Sequence, residues 1–231
     1  MRKYLLSSGT LGRYYNQAME EAIRRHHFNT FEFSAPLIED NSPKGLENIE
    51  RCKHMLADGA MFIGSNHIPF GTPYDPSAAD ESDRKRNVEA IKTIVMKCVD
   101  GGFGSPHYTL HGSMEPLRDD ERAYRISQSR KSIAELAPFF AGLKANVNIE
   151  NLPRTCGGNC VEEIQEMVRD QADNVGITFD VNHWMARAEQ LPDMIRALAP
   201  RIRSFHLSDY DGVDEQHWGI PHRGVIEWHG V

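Results

Sequence analysis

Short apolar runs alternate with stretches of helical periodicity from one end of the chain to the other. Strand-like runs fall at Lys3–Ser8, Thr30–Ser34, Ala60–Asn66, His107–His111, Ala145–Glu150, Val175–Asp180 and Ile202–Leu207. They are short and unevenly apolar, as expected of a sheet buried under helices. Between them, apolar residues recur at helical spacing: Val88, Ile91, Val95 and Cys98; Ile126, Ile133, Ala137 and Phe140, with one step missing; Val161, Ile164 and Val168; Leu191, Met194, Ile195 and Leu198. That period gathers each set on one face of a helix. Asn159, with Glu162 three residues on, reads as a capping box opening the third of these helices.

Strict alternation of strand and helix predicts parallel strands joined by right-handed crossovers. The expected fold class is therefore α/β, a (β/α)8 TIM barrel forming a single domain over residues 1–231 and lacking its last strand and helices. At the spacing of the seven strand ends, an eighth would finish beyond Val231. The natural chain is expected to continue for about 40–50 residues, as helix, strand and final helix, on the usual barrel size. If it does not, the unpaired edges of strands one and seven invite a second copy, and a homo-oligomer is expected. The competing architecture is an open doubly wound sheet, which binds phosphate at a glycine-rich first turn. Gly9-Thr-Leu-Gly12 is a poor version of that turn.

Composition narrows the partners. Hydrophobic residues at 40% and charged residues at 26% are ordinary for a globular chain. A net charge of −7 argues against a broad nucleic-acid or anionic-membrane surface. No apolar run approaches the ~20 residues of a membrane helix, and a cytoplasmic protein is expected. Cys98 falls on an apolar helical face and should be a buried thiol. Cys156 and Cys160 form a lone C-x3-C, too little for a zinc knuckle.

The candidate chemistry lies at the strand ends. Glu32 is in the second strand, His67 closes the third and His111 the fourth. Glu150 closes the fifth, Asp180 the sixth with His183 three residues on, and His206 the seventh, followed by a loop carrying Glu215 and His217. In a parallel barrel the C-terminal ends of all strands open onto one face. Carboxylate oxygen and imidazole nitrogen are ligands for Zn2+, Mn2+ and similar ions. An isolated histidine, such as His107 or His229, is expected to be an ordinary surface or core residue. Five consecutive strands ending in His, His, Glu, Asp and His imply a cation, because a buried carboxylate without a partner costs several kcal/mol.

On these residues the sequence resembles the xylose-isomerase-like barrel superfamily, which holds sugar and sugar-phosphate isomerases and epimerases together with endonuclease IV type nucleases. The matches are Ile149-Glu150-Asn151, Asp180-x-x-His183 and Phe205-His-Leu-Ser-Asp209. The segment His217–Trp228 matches the family's closing stretch, with His222 where a glycine is usual. The resemblance implies that Glu150, Asp180 and His206 bind one divalent ion (Mn2+, Zn2+, Co2+ or Mg2+), completed by a glutamate from an eighth strand. It implies that His183 contacts substrate. In the nucleases, residues matching His67, His111, His183 and the pair Glu215-x-His217 hold further zinc ions.

The expected function is metal-assisted proton transfer next to a carbonyl, isomerising or epimerising a small sugar, sugar phosphate or related polyol. Glu150 and His183 are the expected catalytic residues, and His67, His111, His183 and His217 the expected substrate contacts. The alternatives are a zinc phosphodiesterase of the apurinic-endonuclease kind, or a non-catalytic metal- or sugar-binding relative. The acidic balance and the short loops after strands one and two argue against a nucleic-acid partner.

Overall fold

The computed structural model describes residues 5–7, 17–26, 29–114, 117–213, 217–218, 224–226 and 228. Strands and helices alternate along it: β1 (Leu6–Ser7), α1 (Gln17–His26), β2 (Thr30–Ser34), α2 (Pro43–Ala57), β3 (Phe62–His67), α3 (Glu81–Asp100), β4 (His107–His111), α4 (Asp119–Gly142), β5 (Asn146–Glu150), α5 (Val161–Val168), β6 (Val175–Asp180), α6 (Leu191–Leu198) and β7 (Ile202–His206). The chain forms two compact units. One is Met1–Pro69 with Ile91–Tyr108, and the other is Phe70–Ala90 with Thr109–Val231. Gly9–Gly12, Glu215, His222 and His229 lie outside the described residues. Among the described residues no helix is long and apolar enough to cross a membrane.

In the first unit β1, β2 and β3 are parallel, with Leu6 opposite Phe31 and Ser34 opposite His67. Phe31 and Phe33 are fully buried, and Phe33 stacks on Phe103 with ring centroids 4.5 Å apart. Ser42 caps α2 by accepting the Gly45 N–H, with Pro43 supplying a preset first turn. Cys52 and Cys98 are fully buried here, and burial pushes each thiol up to about 12. These are inert core side chains rather than nucleophiles. Glu32 is buried and accepts a hydrogen bond from Ser65 Oγ at 3.0 Å.

In the second unit β5, β6 and β7 are parallel, with Glu150 opposite Thr178 and Asp180 opposite His206. Alternation along these strands sorts the side chains by face. Ile149 and Phe179 pack into the apolar core, as do the α4 stripe (Ile126, Ile133, Ala137, Phe140) and Ile164, Leu191 and Leu198. The residues two positions before each strand end are polar and touch one another. Thr109 Oγ1 lies 3.0 Å from Thr178 Oγ1, Thr178 Oγ1 lies 2.7 Å from Ser204 Oγ, and Asn148 Nδ2 donates to Ser204 at 3.4 Å. This hydrogen-bonded row joins β4, β5, β6 and β7 one layer before their ends.

The expected capping box on α5 does not form. Cys160 is the N-cap residue and makes no side-chain cap bond, while Asn159 Nδ2 donates to the Arg154 carbonyl. Glu163, one position beyond the expected Glu162, reaches back instead and accepts the Gly158 N–H at 2.7 Å. Arg122 holds that carboxylate through two nitrogens, which explains why Glu163 takes the role. The Cys160 thiol is raised by burial and the Cys156 thiol is buried, so neither favours the thiolate a zinc knuckle needs.

Candidate metal centre

The C-terminal ends of β4, β5, β6 and β7 place His111, Glu150, Asp180 and His206 together in the second unit. Glu150 is the centre of the group, at 1% exposure. His206 Nδ1 lies 2.7 Å from its Oε1, His111 Nε2 3.1 Å from its Oε2, and His183 Nδ1 3.7 Å from Oε1. Asp180, also buried, lies 3.6 Å through Oδ2 from the same His206 Nδ1 and 3.8 Å from His183 Nε2. Two carboxylates and an imidazole nitrogen thus converge on one point. Two buried negative charges among imidazoles match the charge of a divalent cation, and oxygen with nitrogen is a donor set such ions accept. The residues present fit the ion.

Asparagine side chains brace the carboxylates from behind. Asn151, next to Glu150, donates through Nδ2 to the Asp180 carbonyl at 2.9 Å and accepts the Asp180 N–H at 2.7 Å, so one amide locks the ends of β5 and β6 together. Asp180 Oδ1 accepts the Asn182 N–H at 2.7 Å, leaving Oδ2 to face the histidines. His183 Nδ1 meets the Asn151 carbonyl at 2.7 Å. A carbonyl can only accept, so Nδ1 carries the proton of the neutral ring and Nε2 presents its lone pair. His217 lies close to this pair. Ligand atoms of Asp180, His183 and His217 all fall within 4.8 Å of one another.

A different element carries His67. It stands at the C-terminal end of β3 in the first unit, half-buried, with Nδ1 3.0 Å from the Ile68 carbonyl. By the same reasoning its Nε2 is the unprotonated nitrogen.

The model of the xylose isomerase-like TIM barrel family matches residues 21–231. The chain belongs to the xylose isomerase-like TIM barrel family. A search of curated proteins finds no match. Among solved structures, the chain is similar to a D-tagatose 3-epimerase-like protein at 23% identity and TM-score 0.77, covering 99% of this chain and 84% of that one. It is similar to a D-psicose 3-epimerase from Clostridium cellulolyticum H10 at 15% identity and TM-score 0.73, over 99% and 78%. It is also similar to the 3-keto-D-glucoside 4-epimerase of E. coli at 15% identity and TM-score 0.72, over 99% and 85%. At such identities the likeness is one of fold.

Within this xylose isomerase-like fold, several residues around the site were not singled out from the sequence. The polar row Thr109, Asn148, Thr178 and Ser204 carries a readable signal, since each lies two residues before a strand-end ligand type and so shares its face. Asn182 and Ser208, whose contacts depend on two loops meeting, carry none. Phe70 is 66% exposed and stacks on His111, with ring centroids 4.6 Å apart and planes at 8°. Its distance along the chain from His111 hides that pairing.

Proposed function

We propose that the protein is a divalent-metal-dependent isomerase or epimerase acting on a small sugar, sugar phosphate or related polyol, with Glu150, Asp180 and His206 as metal ligands. The convergence of both carboxylates on His206 Nδ1 carries this reading. The epimerase names of the structural neighbours supply the substrate class. A bound divalent ion would polarise the substrate's carbonyl and make the neighbouring C–H more acidic. Glu150 is buried against three imidazoles and is the candidate carboxylate for moving that proton. His183 turns its unprotonated Nε2 toward the site and is the candidate second catalytic group, in contact with substrate. His111, aligned by Glu150 and by the Phe70 ring, is proposed to bind substrate hydroxyls, as are His67 and His217.

The test is a screen of ketoses and their phosphates in D2O with metal-loaded protein. Epimerisation should exchange a carbon-bound proton next to the carbonyl for deuterium, and His183→Ala should slow that exchange by about 10²–10⁴-fold. Absence of exchange with every ketose would contradict the proposal. A second reading has one observation in its favour, the grouping of Asp180, His183 and His217 within 4.8 Å. A further ion there would suit a multi-zinc phosphodiesterase, and cleavage of an abasic-site oligonucleotide by the same preparation would favour it.

A further inference from the structure

The loop after β7 returns to the site on a set of hydrogen bonds that fixes one ring. Asp209 pairs with Trp218 in both directions, its N–H donating to the Trp218 carbonyl at 2.7 Å and the Trp218 N–H to its carbonyl at 3.0 Å. This places His217, whose backbone takes a left-handed φ of 47°, beside the metal-type residues. Its ring meets His183 edge-on, with centroids 5.5 Å apart. Its Nδ1 lies 3.1 Å from Ser208 Oγ. Ser208 is itself held by Asn182, which donates through Nδ2 to Ser208 Oγ at 3.1 Å and to the Asp209 carbonyl at 2.8 Å.

The Asp209 carbonyl can only accept, so the Asn182 amide must present its NH2 group to it, and turning the amide round would set oxygen against oxygen. Asn182 Oδ1 is left buried without a hydrogen-bond partner among the described residues, since the other end of the amide is committed to Ser208 and the Asp209 carbonyl. Ser208 Oγ therefore accepts a hydrogen bond from the Asn182 amide. Among the described residues, the bond to His217 is the one in which the Ser208 hydroxyl can use its own proton.

We propose that Ser208, held by Asn182, is a positioning residue that donates to His217 Nδ1 and so fixes the neutral ring with its proton on Nε2. His217 then offers an N–H donor, beside a His183 that offers a lone pair. A nitrogen bearing a proton does not bind metal, so His217 acts on substrate oxygen and is not a ligand of a second ion. The proposal rests on the sugar-directed reading above, but its first measurement needs no substrate.

Nitrogen-15 NMR of the full chain, labelled at histidine and loaded with Zn2+, reads the tautomer of His217 directly. The expected spectrum has Nε2 protonated and Nδ1 accepting a hydrogen bond, unchanged as zinc is raised past one equivalent. A ring protonated at Nδ1, or loss of the Nε2 proton on adding a second equivalent, would overturn the proposal. Once a substrate is in hand, Ser208→Ala should raise KM about tenfold with kcat and zinc content nearly unchanged. Ser208→Thr should restore it, and Ser208→Ala should add nothing in a His217→Ala background. Additive effects in that double variant, or a normal KM in Ser208→Ala, would contradict it. A failure to find activity leaves the NMR result standing and counts against the sugar reading alone.

Discussion

Glu150 stands between three imidazoles, and its charge can be removed with little change of shape. Glu150→Gln should lower divalent-ion affinity by more than about 100-fold, since even residues behind the ligands of a metal site typically cost ~10–100-fold. Isothermal titration of metal-stripped protein checks it. His183→Ala should behave differently, reducing turnover by about 10²–10⁴-fold while metal affinity changes by less than about tenfold. Loss of metal with unchanged substrate binding would make His183 a ligand. At this scale the sequence was informative where a residue type sits at a strand end, as Glu150, Asp180 and His206 do. It was silent about what Asn151 and Asn182 do, because an asparagine one or two residues from a strand-end carboxylate looks the same whether it braces that carboxylate or faces water. The α5 cap shows the same limit, since the choice of Glu163 over Glu162 was made by Arg122, 41 residues away.

Among the elements, the segment after β7 depends most on a single side chain. Asp209, at 1% exposure, accepts the N–H groups of Tyr210 and Gly224 and the indole N–H of Trp228, with a longer bond of 3.4 Å from Ile226. Burial alone would raise its carboxyl, but these donors outweigh it and hold the carboxyl below the usual carboxylate range. A depressed pKa means the stabilisation is complete above the unfolded value, about 3.9, and is lost as pH falls through the folded one. Asp209→Asn should therefore cost about 1–3 kcal/mol at pH 7. The gap from wild type should close as the pH is taken below about 4, as read by urea denaturation. A gap that does not change with pH would contradict this account. Gly224→Ala should loosen the same segment, because a Cβ there would collide with the Asp209 carboxylate and the Tyr210 carbonyl. The strands were legible because their apolar runs are bounded by turns: β2, β4 and β6 fall where the pattern puts them. The path of the chain beyond Asp209 was not, because it is set by one carboxylate collecting distant amides rather than by periodicity.

For the whole molecule, alternation of strand with helix gave an α/β chain of parallel strands, and the strand-end motifs Ile149-Glu150-Asn151, Asp180-x-x-His183 and Phe205-His-Leu-Ser-Asp209 gave the barrel family. What alternation does not encode is the site's occupant. If a divalent ion belongs at the ends of β5, β6 and β7, the folded protein should be stabilised by binding it, by ~2.7 kcal/mol at a hundred times the dissociation constant. For a chain of this size that corresponds to a rise in Tm of about 5–10 °C. The most direct test is metal stoichiometry on chelator-stripped, reloaded protein, comparing wild type with Glu150→Gln, Asp180→Asn and His206→Ala. One tightly bound ion per wild-type chain, lost in all three variants, is the predicted result. A wild-type protein that takes up no ion, or variants that bind it as tightly as wild type, would contradict the assignment of this site.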